Sequence, residues 1–189
     1  MENTSVFTEP VALPMRKDIA VKWGIITALV ACVIITVGFK FVLAQSYFGF
    51  LALMFANFLV ILILAGMAAV AQRKAMGGYI SFKDAFSTIF IVLLIATVLH
   101  SLYGVLYAKY IDPDSVTRMK EATLSFLEGM KTPQEKLDET AAEFDRQQKV
   151  GMQPAQLALS TAKNLILYSL FGMIPAAIVK RKRPEGGMR

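Results

Sequence analysis

His100 is the chain's single histidine, and an imidazole is the side chain best suited to exchange a proton near neutrality. It stands inside a long apolar run, residues 85–111, while Thr36, Asn57, Asn164 and Tyr168 interrupt other such runs. In hydrocarbon an unpaired polar group is costly, so residues of this kind turn toward a neighbouring helix. If each membrane core takes ~20 residues, the midplanes fall near Val33, Leu59, Thr97 and Ser169. Asn57 and His100 then lie about three residues outward of the middle, roughly 4 to 5 Å by helical rise. Thr36 and Tyr168 share that half, with Asn164 nearer the surface.

The candidate intramembrane polar cluster is therefore Asn57, His100 and Tyr168. One chemistry open to it is hydrogen bonding across helices, each pair stabilising packing by about 0.6 to 2 kcal/mol. The other is a proton or ligand site. An ion-coupled transporter normally buries a carboxylate, and no Asp or Glu lies inside any of the apolar runs. Enzymatic chemistry is weaker still, because the histidine has no nucleophile, metal partner or carboxylate at motif spacing. No catalytic residue, metal-ligand set or cofactor motif is found. Cys32 is alone, which excludes an intrachain disulfide and a cysteine-built zinc site.

The elements that must position these residues follow from composition. With 56% apolar and 18% charged residues the chain is too apolar for an ordinary soluble domain. Its formal charge of +6 does not point to nucleic acid, since the cations cluster beside apolar runs without a basic and aromatic binding face. The fold class expected is an all-α integral membrane protein. Four transmembrane helices are placed at about 23–44, 48–71, 85–111 and 155–179, each long enough for the ~30 Å hydrocarbon core. The first run is too long and starts too deep for a secretory signal, although Val42, Leu43 and Ala44 loosely resemble a cleavage site. Residues 1–15 read as a mobile tail, 16–183 as one membrane domain, and 184–189 as a second tail.

Residues 113–153 turn abruptly charged and helix-favouring, and read as an external amphipathic helical hairpin. Val116, Met119, Thr123, Leu127 and Met130 recur at helical spacing. Asp112 before Pro113 is placed to cap the first helix, and Thr132, Pro133, Gln134 and Glu135 form a capping box for the second. Gly151 to Pro154 turns the chain back toward the fourth span.

Before the third span, Gly77 and Gly78 permit a sharp turn, Ser81 stands at an N-cap position, and Asp84 favours the positive helix end. Small residues form packing stripes: Gly24, Ala28 and Ala31; Thr97, Ser101, Gly104 and Ala108; Ser169, Gly172 and Ala176. Eleven Lys and Arg flank the spans on the side of the two termini; the other side carries Lys40 and eight in and beside the excursion, accompanied by nine acids. Both termini are thus expected in the cytoplasm. Lys180, Arg181, Lys182 and Arg183 close the last span and are candidate contacts to anionic lipid.

The stretch Gly77-Gly78-Tyr79-Ile80-Ser81-Phe82-Lys83-Asp84-Ala85-Phe86 resembles the signature of the bacterial membrane-protein family called domain of unknown function 4199. Tyr107, Tyr110, Ile111, Asp112 and Pro113 are similar to the end of that family's third helix. The resemblance covers most of residues 16–183. It implies four helices in the inner membrane of a Gram-negative bacterium, and it carries over no catalytic residues.

The function expected is a non-enzymatic binding or structural component of the cell envelope. Its partners are the lipid bilayer, anionic lipids, and a second copy of the chain or an envelope protein; nucleic acid is not among them. The alternative is a small channel or transporter subunit with an outward-facing polar pocket around His100.

Overall fold

The computed structural model describes residues 14–150 and 153–181. Residues 1–13 of the expected leading tail, the turn at Gly151 and Met152, the cations Lys182 and Arg183, and the tail at 184–189 lie outside the described residues.

The described chain is helical. α1 (Lys17–Val37) continues into a wider π turn (Gly38–Val42), closed by the Leu43 N–H on the Gly38 carbonyl at 2.8 Å. α2 covers Tyr47–Ala75. α3 (Phe82–Leu106) ends in the same way, in a π turn over Tyr107–Ile111 closed by the Asp112 N–H on the Tyr107 carbonyl. α4 (Ser115–Gly129) and α5 (Gln134–Val150) form the hairpin, and α6 covers Pro154–Val179. With their π turns, α1, α2, α3 and α6 are four helices long and apolar enough to cross a membrane. α1 starts at Lys17 and α2 runs to Ala75, several residues past the expected apolar limits. Helical hydrogen bonding does not stop where the hydrocarbon does, so charged turns continue each helix into the headgroup layer.

α3 is central. It packs on α1, α2 and α6, while α2 also touches α1 and α6, so α1 and α6 flank the other two. The contacts are built from small residues: Gly24, Ala28 and Ala31 of α1, Ala65, Ala68 and Ala69 of α2, and Gly172 and Ala176 of α6 are all buried. Where lipid replaces water, close van der Waals approach is what holds helices together. A Cβ added at Gly24 would stand 2.8 Å from the Ile95 Cβ, and one at Gly172 3.0 Å from the Ile89 Cγ2. The stripes on α1 and α6 are therefore helix contacts. The one on α3 is only partly so, because nothing lies within 4 Å of a Cβ built on Gly104. There α3 and α6 have separated. The outer surface is apolar, with Leu29, Phe55, Ile63 and Ile178 exposed. Water would not leave such a belt uncovered; lipid does.

Two ends can be distinguished. At the junction end α1 begins, the α2–α3 turn lies, and α6 finishes; at the hairpin end α1 passes to α2 and α3 passes into α4. Ser81 caps α3 as its position predicts: its Oγ accepts the Asp84 N–H at 3.0 Å and donates to Asp84 Oδ2 at 2.7 Å. Gly77 and Gly78 both have positive φ, 80° and 91°.

Two expected caps in the hairpin do not form. α4 begins at Ser115 rather than beside Asp112, because the Asp112 carboxylate is taken by the Tyr107 hydroxyl and by Arg118. The capping box at Thr132 is absent, and the Pro133 carbonyl accepts the Lys136 and Leu137 amides of α5. Thr132 belongs to the end of α4: its N–H reaches the Leu127 carbonyl at 3.1 Å while the Lys131 N–H reaches Glu128 at 2.8 Å. That closure puts Lys131 at a positive φ of 58°.

Candidate functional site

At the hairpin end a cleft of about 390 Å³ opens between α3, the hairpin and α6. His100, Gly104 and Ala108 line it from α3, one helical turn apart, so the open stripe described above is its floor. Asn164 and Ser160 come from α6, and Phe144 and Gln147 from α5. Among the described residues the lining carries no Asp, Glu, Lys or Arg. His100 Nε2 is buried and has no hydrogen-bond partner among the described residues. An uncharged, hydrogen-bonding wall beside apolar Phe144 and Leu157 suits a ligand with a neutral polar group and an apolar body.

The neighbouring face of α3 fixes the cleft in place. Tyr103 shares a hydroxyl hydrogen bond with Thr36 of α1. Tyr107 is buried, packs on the Phe39 ring at 5.8 Å, and donates to Asp112 Oδ2 at 3.1 Å. The π turn at Gly38 carries Phe39 into this contact and against Phe50 at 5.1 Å. Arg118 completes the tether, and its hydrogen bond is the main reason the Asp112 carboxyl is held below its ordinary value. Burial opposes that shift and the Tyr107 hydroxyl adds to it. α4 also leans on the start of α2 through the Tyr47 and Phe126 rings, 5.1 Å apart, and Lys120 joins α5 at Asp145, 2.6 Å away. On the cleft side Gln147 donates to Glu143 at 2.9 Å, which with Arg146 lowers the Glu143 carboxyl.

The proposed trio does not act as one hydrogen-bonded cluster. Asn57 is 5% exposed, and its Oδ1 has no partner. Tyr168 stacks on Phe58 at 5.0 Å, which turns it to the α2–α6 interface, and it does not line the cleft. Common depth brought the three together in the sequence; helix rotation separates them. Asn164 is the residue of the outward half that shares the cleft with His100. The contributions of Phe144 and Gln147 carry no sequence signal beyond the amphipathic face of α5, because nothing local specifies where a hairpin folds back.

The junction end is built differently. Gln72, fully buried, brackets the start of α1: with its amide oriented by its partners, nitrogen donates to the Arg16 carbonyl at 3.0 Å and oxygen accepts the Arg16 N–H at 2.7 Å. The chain after α6 is pinned as well. Ile80 and Arg181 exchange backbone hydrogen bonds of 3.1 and 2.9 Å, and Arg73 Nη1 donates to the Val179 carbonyl at 3.1 Å. Lys180 and Arg181, two of the four candidate lipid contacts, are exposed there. Among the described residues no three His, Cys, Asp or Glu side chains gather as a metal site.

The family described as Protein of unknown function (DUF4199) matches residues 22–181, most of the chain and including both ends of the bundle. Neither the curated proteins nor the solved structures give a match.

Proposed function

We propose that this chain, which belongs to the DUF4199 family, is a non-enzymatic binding component of the bacterial inner membrane, with the His100 cleft as its binding site. The observation that carries this reading is the cleft itself, a lined and uncharged opening held in place by the Tyr107, Asp112 and Arg118 tether. Its ligand is an amphiphile or an envelope protein segment that offers a neutral hydrogen-bonding group to His100 and Asn164. Binding is favoured over transport because the apolar runs at 23–44, 48–71, 85–111 and 155–179 contain no carboxylate, and because small-residue contacts between the helices support a closed bundle rather than a path. The eleven flanking cations support cytoplasmic termini and an external hairpin.

A photo-crosslinking residue placed at Phe144 tests the site in native membranes. A discrete lipid or protein adduct is expected there and not from the same probe at exposed Met130. Identical adducts from both positions, or none at Phe144, would refute the binding role. Orientation is tested separately by Lys131→Cys in a Cys32→Ser background, which should react with an impermeant thiol reagent in intact spheroplasts.

A further inference from the structure

At the junction end, backbone geometry gathers cations that have no paired carboxylate among the described residues. α2 closes with the Gly78 N–H on the Arg73 carbonyl at 2.9 Å, and the same Arg73 holds the end of α6 through its side chain. The two-way pairing of Ile80 with Arg181 then fixes residues 179–181 against the turn. The Arg181 guanidinium lies 5.8 Å from the Tyr79 ring centroid, a bracing contact that uses none of its N–H donors. Arg73 uses one guanidinium nitrogen on Val179, and among the described residues the others have no hydrogen-bond partner.

Among the described residues no carboxylate pairs with Arg73, Lys180 or Arg181. Asp84, the acid of the junction segment, is engaged by Ser81, and Asp18 by Arg16. Mere topological signalling would not require the cations to be held. Here a backbone bridge and a side-chain bond hold two guanidinium groups beside one turn, at the end of four apolar spans, which is the level of lipid headgroups. Guanidinium donors match phosphate oxygens in pairs.

We propose that Arg73 and Arg181, with Lys180 beside them, form a fixed site for the phosphate of an anionic membrane lipid. A free tail would attract anionic lipid diffusely, in proportion to charge alone. A built site depends on which cations are present. The inference is independent of the cleft at the other end.

The test uses the full chain in detergent, titrated with phosphatidylglycerol, phosphatidylcholine or inorganic phosphate while thermal unfolding is followed. Phosphatidylglycerol should raise the midpoint, and phosphatidylcholine and inorganic phosphate should not. Arg73→Gln/Arg181→Gln should weaken the phosphatidylglycerol response by more than tenfold, taking about fivefold per cation. Lys17→Gln/Lys22→Gln removes the same charge from the same end and should leave the response within twofold. If the double variant does not fold, Arg181→Gln alone decides, since only the backbone of Arg181 takes part in the bridge. Equal losses in the lysine control would reduce the effect to diffuse charge and overturn the site. A full response to inorganic phosphate would make it a free-anion site and overturn the lipid assignment.

Discussion

The two ends of this bundle satisfy their polar groups in opposite ways. At the junction end Gln72 meets both backbone groups of Arg16, Ser81 meets Asp84, and Ile80 meets Arg181. At the hairpin end His100 Nε2 and, further in, Asn57 Oδ1 have no protein partner. Helix spacing differs likewise: α1 and α3 touch across Gly24, whereas α3 and α6 part at Gly104. A locked, cationic end and an end that opens into a cleft with uncharged lining among the described residues suit a membrane anchor and a binding site, respectively.

The same substitution at the two glycines should give the largest contrast. Gly24→Ala places a methyl against the branched Ile95, which is attached too close to the backbone to move away, and should destabilise by about 2 to 3 kcal/mol. Gly104→Ala meets nothing and should be neutral or stabilising by up to about 1 kcal/mol in thermal unfolding. Equal losses would mean that the cleft floor is packed against something.

Two amides on α2 sharpen the contrast further. Gln72→Leu strands both Arg16 backbone groups and should cost about 2 kcal/mol. Asn57→Leu removes a buried acceptor without a partner and should cost nothing or stabilise. A clear loss at Asn57 would reveal a hydrogen bond supplied by lipid or by another chain.

At the hairpin end the tether titrates. The Asp112 carboxyl is lowered chiefly by Arg118, so the carboxylate is the form that stabilises docking. That contribution is complete above the ordinary carboxylate value of 3.8 and is lost as pH falls below it through the folded value. Asp112→Asn should weaken docking by about 1 kcal/mol, since Arg118 is partly exposed. Proteolysis of the α4–α5 turn in reconstituted protein measures it, and an unchanged rate would show that the ring contacts alone hold the hairpin.

The smallest effect compares two helix ends of the same design. α2 and α4 both close through a left-handed residue, Gly77 in one and Lys131 in the other. Lys131→Gly should stabilise the hairpin by about 0.5 to 1 kcal/mol, while Gly77→Ala should cost about 1 kcal/mol. Amide exchange at Thr132 and Gly78 reads each turn separately.

Much of the fold was legible because its causes are local. Runs of apolar residues as long as a bilayer is thick, the Ser81 cap, the Gly77–Gly78 turn and the small-residue stripes on α1 and α6 all follow from neighbours in sequence. Local signals failed where a side chain had a better distant partner. Asp112 left its cap for Tyr107 and Arg118, and Gln72, placed by its sequence at the edge of a span, was drawn inside by the backbone of Arg16.

Depth along each helix was therefore fixed by the sequence, since hydropathy counts residues from the membrane surface. Rotation about each helix axis was decided by the tertiary structure, because it depends on which small residues of several helices can come closest at once. That is why His100, Asn57 and Tyr168 share a level without sharing a hydrogen bond, and why Asn164, Phe144 and Gln147 are residues that line one cleft with His100. It also decided that Arg181, by sequence a cation closing the last span, is paired with Ile80 across a distance of a hundred residues of chain.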